Sequence, residues 1–202
     1  MFYFSPKNNS NCILVGNGAG ALRGDHAEII DSHDIVVRMN RFRVAGYEEV
    51  LGTKCTHWVL NCALTTDERN YALNNIEKVR KETNGLLKVL VLTTDSHGRE
   101  VRLKEIKRVF LSESNVYFDY KIYSTWRMKN LLNGKRKPST GILAILYFLE
   151  RYRKLTLIGF DFGTSDHYWG DHGPSDRPGK HHWDAEKQLI LKFHEKGRIN
   201  FL

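Results

Sequence analysis

Short apolar runs alternate along the chain with longer stretches in which apolar residues recur every three or four positions. CILVG (12–16), DIVVRMN (34–40), THWVLNC (56–62), LLKVLVLTT (86–94), NVYFDY (115–120) and KLTLIGFDF (154–162) read as strands. Segments 66–83, 98–112 and 139–153 carry helical spacing, and 182–196 reads as a final helix before RINFL. The strands are near-continuous in Val, Ile and Leu, the pattern of strands buried on both faces of a parallel sheet. Strand–helix alternation then predicts an α/β fold with three α/β/α layers. The 202 residues show no internal repeat, low-complexity tract or linker, so a single domain over 1–202 is expected.

Composition narrows the function classes. Hydrophobic residues make up 41% and charged residues 27%, which suits a packed domain rather than a disordered chain. No apolar run approaches the roughly 20 residues that span a bilayer. The N-terminal MFYFSPKNNSN lacks the shape of a signal peptide, so a cytoplasmic location is expected. The net charge of +8 favours anionic partners, including peripheral contact with an anionic membrane. Its clusters at 78–81, 102–108 and 134–137 are dispersed, without a recognition helix or aromatic platform, so no nucleic-acid partner is expected. Cys12, Cys55 and Cys62 follow no metal-ligand spacing and read as reduced thiols. Nothing in the sequence specifies an oligomer.

The first strand runs into a glycine turn, CILVGNGAGALRG, which is followed by a helix. Gly16, Gly18 and Ala21 satisfy a loose dinucleotide fingerprint, in which glycines admit a phosphate or sugar close to the backbone. A dinucleotide site also needs an acidic residue at the end of the second strand, and DIVVRMN offers Arg38 and Asn40. Asn17 and Asn40 sit at strand ends, where side-chain amides could grip a sugar, a phosphate or a pyrimidine edge. They could equally bond turn backbone, and the local pattern leaves both readings open.

Two further segments carry chemistry. In KRKPSTGILAILYFLERYRK, Pro138 marks a boundary, Ser139 or Thr140 caps a buried helix, and Gly141 permits close approach. Such a helix start is a candidate oxyanion or phosphate seat, and also an ordinary cap. Residues 166–186, DHYWGDHGPSDRPGKHHWDAE, hold four of the nine histidines. A metal site built from His167, Asp171, His172 and His181 would lack a compact ligand spacing. A catalytic loop and a plain polar loop are the other readings.

Together these pieces resemble a known family. CILVGNGAGALRGDHAEIIDSHDIVVRMNRFRVAGYEEVLGTKC resembles the large sialyl motif of glycosyltransferase family 29, and PSTGILAILYFLERYRKLTLIGFDF resembles the small motif. HYW (167–169) is similar to motif three, and HHWDAE (181–186), a His-x4-Glu, to the very small motif. All four follow the family's order. Bacterial family 42 shares a distantly similar GNG turn, but the HYW and His-x4-Glu pair favours family 29.

The resemblance implies a GT-A-like, Rossmann-like variant fold with a mostly parallel seven-stranded sheet. It implies inverting transfer to a glycan acceptor from a CMP-sugar donor, usually CMP-sialic acid, with no metal and no other cofactor; CMP-Kdo is the alternative donor expected of a soluble relative. By motif, Asn17 and Asn40 would meet the CMP moiety, and Ser139, Thr140 and Gly141 would border the donor's phosphate and carboxylate. His167 would hold the departing phosphate and His181 would be the general base, with His182 its adjacent competitor and Glu186 placed to orient the loop or the imidazole. Gly18, Asn61, Phe160, Asp161 and Tyr168 complete the implied substrate surface. A histidine suits the base role, with an ordinary pKa near neutrality.

The chain departs from the family pattern in four places. Cys12 has no partner cysteine in the small motif, so the family's usual disulfide is absent. Gly18 stands where serine is common, and Asp161 where many members have glycine, close to the expected anionic ligand. Gly170 replaces the acidic residue that often follows motif three.

Overall fold

The computed structural model describes residues 8–61, 87–95, 103–104, 106–108, 110, 116–134, 137–170 and 181–202. Seven strands form one sheet: β1 (Cys12–Val15), β2 (Ile35–Met39), β3 (His57–Asn61), β4 (Leu87–Thr94), β5 (Val116–Tyr123), β6 (Leu155–Ile158) and β7 (Ile199–Phe201). Their spatial order is β5-β4-β3-β2-β1-β6-β7. Every pairing is parallel, which sharpens the expected mostly parallel sheet. β7 falls in RINFL, a segment too short and polar to read as a strand alone. The helix expected at 66–83 lies outside the described residues, as does Cys62.

The strands are apolar on both faces because each face meets a different layer. Cys12, Leu14, Val37, Met39, Val59, Leu90 and Leu92 pack under α3 (Thr125–Leu131), α4 (Thr140–Leu149) and α5 (Trp183–Glu195). The alternate residues Ile13, Val15 and Val36 pack with Ile30 of α1 (Ala27–Ser32) and Leu51 of α2 (Glu48–Leu51). On that same side Trp58, Leu60, Val89 and Val91 meet Leu103, Ile106 and Phe110, the apolar positions of the helical segment expected at 98–112. The three expected layers are therefore present.

α4 is the central piece of the core. Every residue from Ile142 to Leu149 is buried, and each large side chain contributes about 1.5–3 kcal/mol on leaving water. Arg38, which stands near the end of β2, is also fully buried. Its guanidinium donates to the carbonyls of Leu51, Gly52 and Lys54 and ties β2 to the turn after α2. Cys12 and Cys55 are free buried thiols. No helix among the described residues is long and apolar enough to cross a membrane.

Two strands are shorter than their apolar runs. β2 stops at Asn40, whose φ of 48° is left-handed, a conformation asparagine tolerates better than most residues. The run through 162 ends at Ile158 because Gly159 (φ 69°), Phe162 (φ 51°) and Gly163 (φ 75°) turn the chain. The helix expected after the glycine turn is a single 3₁₀ turn, Ala19–Leu22, followed by the separate α1.

Candidate active site

The chain order reverses between β1 and β6, and in open parallel sheets ligands bind at the carboxyl ends beside such a switch point. There the two loops interlock. The Gly16 N–H donates to the Ile158 carbonyl at 2.8 Å and the Gly18 N–H to that of Gly159 at 3.0 Å. A Cβ at position 16 would lie 2.3 Å from the Gly159 oxygen, so glycine is needed for this approach.

Asp161 closes the junction. Its Oδ2 accepts from the Gly20 N–H at 2.7 Å and from the Ser165 hydroxyl. The Ser165 Oγ in turn accepts from the Ala19 N–H at 3.1 Å, and the Asp166 carbonyl accepts from the same N–H. A carboxylate expected to face a ligand thus fills the anion seat of the glycine turn itself, the feature on which a dinucleotide reading depends. Beyond it, Gly18 bridges His167 antiparallel, and the Tyr168 N–H donates to the Asn17 carbonyl at 2.9 Å. His167 stacks on Trp169 at 4.6 Å between centroids, and the Arg43 guanidinium covers that indole at 5.9 Å. Nothing in the sequence pairs Arg43 with residue 169.

Tyr168 is buried, and its hydroxyl closes on backbone, accepting from the Arg43 N–H at 2.9 Å and donating to the Arg43 carbonyl at 2.6 Å. These bonds anchor the 165–168 loop to the chain after β2. Gly170 has φ 74°, which explains glycine after HYW.

The three asparagines lie at the ends of β1, β2 and β3. The Asn17 Nδ2 donates to the carbonyls of Met39 and Arg41, bracketing Asn40, whose Oδ1 accepts from the Asn61 N–H at 3.2 Å. The turn-backbone reading of Asn17 and Asn40 is therefore met. They hold backbone, yet the buried Asn17 Oδ1 has no donor among the described residues, an unmet acceptor.

The second half of the site is the start of α4. Ser139 is the N-cap, its Oγ accepting from the Ile142 N–H at 3.1 Å. Its hydroxyl donates to Glu186 Oε2 at 2.5 Å and its N–H to Oε1 at 2.8 Å. An α-helix leaves its first four N–H groups without intrahelical partners. Two of these are satisfied by Glu186 and the cap, which leaves those of Thr140 and Gly141 at the helix mouth. Glu186 therefore braces α4 rather than the imidazole. Burial pushes its carboxyl up to about 7, against the two Ser139 bonds that favour ionisation, so its negative charge at the helix mouth is reduced near neutrality.

His181 is oriented by backbone. Its Nδ1 lies 2.8 Å from the Lys137 carbonyl, which can only accept, so Nδ1 carries a proton and the neutral ring has its lone pair on Nε2. The Trp183 ring meets the imidazole edge-on at 4.9 Å. His182 is different: its ring lies against Gly134, where a Cβ would come within 2.1 Å of Nε2, and that nitrogen is buried. Phe160 packs over Gly141, with an added Cβ only 3.1 Å from its ring, and joins the two halves of the site. Asp171 and His172, of the alternative metal set, lie outside the described residues.

The carboxyl ends of the strands thus gather a glycine turn, strand-end amides and an open helix mouth at a switch point, the place where open α/β sheets bind their ligands. The family model for Glycosyltransferase family 29 (sialyltransferase) matches residues 3–198, and the chain belongs to that family. It is 27% identical over 202 residues to CMP-N-acetylneuraminate-beta-galactosamide-alpha-2,3-sialyltransferase 1 of Gallus gallus, covering 94% of this chain and 57% of that protein. The Homo sapiens protein of the same name is 26% identical over 190 residues, covering 88% of this chain and 54% of its own length. The chain thus spans little more than half of these relatives. Among solved structures, a mammalian sialyltransferase aligns with TM-score 0.66 at 22% identity, over 96% of this chain and 69% of its own. The monofunctional alpha-2,3-sialyltransferase Cst-I from Campylobacter jejuni aligns with TM-score 0.61 at 16% identity, over 99% of this chain and 77% of its own. Both share the fold.

Proposed function

We propose that this chain transfers sialic acid from CMP-sialic acid to a glycan hydroxyl, with inversion and without a metal ion. The observation that carries the reading is the bond from His181 Nδ1–H to the Lys137 carbonyl, which aims a basic Nε2 from the segment that leads into α4. His181 takes the proton of the acceptor hydroxyl as its oxygen attacks the anomeric carbon. The bond from that carbon to the phosphate oxygen breaks, and CMP departs with the electron pair. The charge developing on that phosphate is met by the N–H groups of Thr140 and Gly141 and by His167, fixed donors that need no reorganisation. Asn17, Asn40 and Asn61 serve the cytidine end of the donor. The free, buried Cys12 is compatible with a reducing, cytoplasmic setting.

Thermal denaturation in EDTA with CMP, CMP-sialic acid, CMP-Kdo, UDP and NAD tests the donor. A ligand at about 100 times its Kd stabilises by about 2.7 kcal/mol. Selective stabilisation by CMP and CMP-sialic acid is expected, and CMP-Kdo alone would reassign the sugar. His181→Ala should lower transfer by about 10²–10⁴ while CMP binding survives. Loss of CMP binding in that variant, or loss of activity in EDTA, would overturn the role assignment.

A further inference from the structure

The family departures at Gly18 and Asp161 are far apart in sequence and touch in the fold. A Cβ on Gly18 would lie 2.6 Å from both Cγ and Oδ2 of Asp161, and one on Gly20 would lie 2.5 Å from Oδ1. The carboxylate therefore occupies the space that a side chain at position 18 would take. Its acceptor atom serves both strands of a short zipper: Gly20 on the glycine turn and Ser165 on the loop that ends in His167. Further rungs follow at Ala19 to Asp166, Gly18 to His167 and Tyr168 to Asn17.

We infer that Asp161 is a positioning residue that clamps the 165–168 arm onto the glycine turn and so fixes His167, and that glycine at 18 is the condition for this clamp. A charged acceptor suits the task, because one oxygen receives two donors at once and charge-assisted bonds are about twice as strong as neutral ones. The cost is an anion lodged in the glycine turn, which assigns the donor's own anionic groups to the mouth of α4. The catalytic part of the inference rests on the leaving-group role proposed for His167; the clamp itself does not.

The test uses the whole chain and two readouts. Amide hydrogen exchange over 16–23 and 164–170 is measured for wild type, Asp161→Ala, Asp161→Asn and Gly18→Ala. Exchange should quicken by about tenfold or more in both segments for Asp161→Ala and for Gly18→Ala, whose methyl evicts the carboxylate. Asp161→Asn, which keeps an acceptor for Gly20, should stay within about threefold of wild type. If Asp161→Ala leaves both segments protected, the clamp does not exist, whatever the protein catalyses. The second readout is kcat for CMP-sialic acid turnover in a double-mutant cycle with His167→Ala. Asp161→Ala should lower kcat by about tenfold in wild type and by less than about twofold in the His167→Ala background. Effects that multiply would show that Asp161 does not act through His167 and would overturn the positioning role. A wild type without turnover would defeat the functional reading, and the exchange readout would still decide the clamp.

Discussion

Glu186 carries a prediction whose size follows from the structure. Its side chain is 2% exposed, and burial raises its carboxyl from an ordinary 4.5 to about 7. A carboxyl that holds its proton more tightly when folded favours the native state fully below the unfolded value. That advantage is lost as pH rises through the folded value, here between about 4.5 and 7. The gap corresponds to about 3 kcal/mol. Glu186→Gln removes the titration and keeps the geometry, since the amide oxygen accepts from the Ser139 N–H and the amide nitrogen donates to Ser139 Oγ. The variant should lie within about 1 kcal/mol of wild type near pH 5 and exceed its stability by about 3 kcal/mol near pH 8. His57 works in the opposite sense, because burial, aided by the Lys88 charge, holds its imidazole down at about 4. Its contribution is present above the ordinary 6.5 and is lost as pH falls toward about 4, equally in both proteins. The assay is therefore the difference between paired urea denaturations at steps from about pH 5 to pH 8. A difference that does not change with pH, or that turns against the glutamine variant as pH rises, would refute the reasoning. It would mean that the Ser139 bonds and the α4 N-terminus keep Glu186 ionised throughout.

Three other expectations are as direct. Tyr168→Phe strands the Arg43 N–H and should cost about 1–3 kcal/mol in urea denaturation; a change within error would show that water replaces the hydroxyl. Gly159→Ala places a methyl 2.8 Å from the Gly16 oxygen at a φ of 69° and should cost more than about 2 kcal/mol. By comparison Gly170→Ala, with the same backbone sign and none of the described residues within 4 Å, should cost about 1–2 kcal/mol, and equal losses would discount the β1–β6 contact. His182→Ala should lower Tm by opening a gap over Gly134 yet hold kcat within about threefold, against the about 10²–10⁴ loss expected for His181→Ala. The reverse ranking would exchange the two histidines' roles.

Much of the fold was legible from local pattern. Near-continuous apolar runs of four to five residues suit strands buried on both faces of a covered parallel sheet, so β1, β2, β3 and β6 and the three layers were legible in the sequence. The buried helix after Pro138 and its serine cap were equally plain, because both signals lie within a few residues of each other. The ends of strands were less legible. GFDF continues the strand before it with two phenylalanines, and only the left-handed backbone at Gly159 and Phe162 shows that the chain has already turned. RINFL becomes β7 because β6 offers it an edge, which no window of three residues could reveal.

The sequence by itself marked the candidate residues, since the glycine turn, the cap, HYW and His-x4-Glu are each written in adjacent letters. The tertiary structure decided what those side chains do, because hydrogen-bond partners here are separated by long stretches of chain. Asp161 meets Gly20, Glu186 meets Ser139, Tyr168 meets Arg43 and His181 meets the Lys137 carbonyl. A carboxylate at a glycine turn repels an anion when free and braces the turn when one of its oxygens is already taken by backbone and hydroxyl donors. Which of these holds depends on distances of a few ångströms across the β1–β6 junction, and only folding sets those distances.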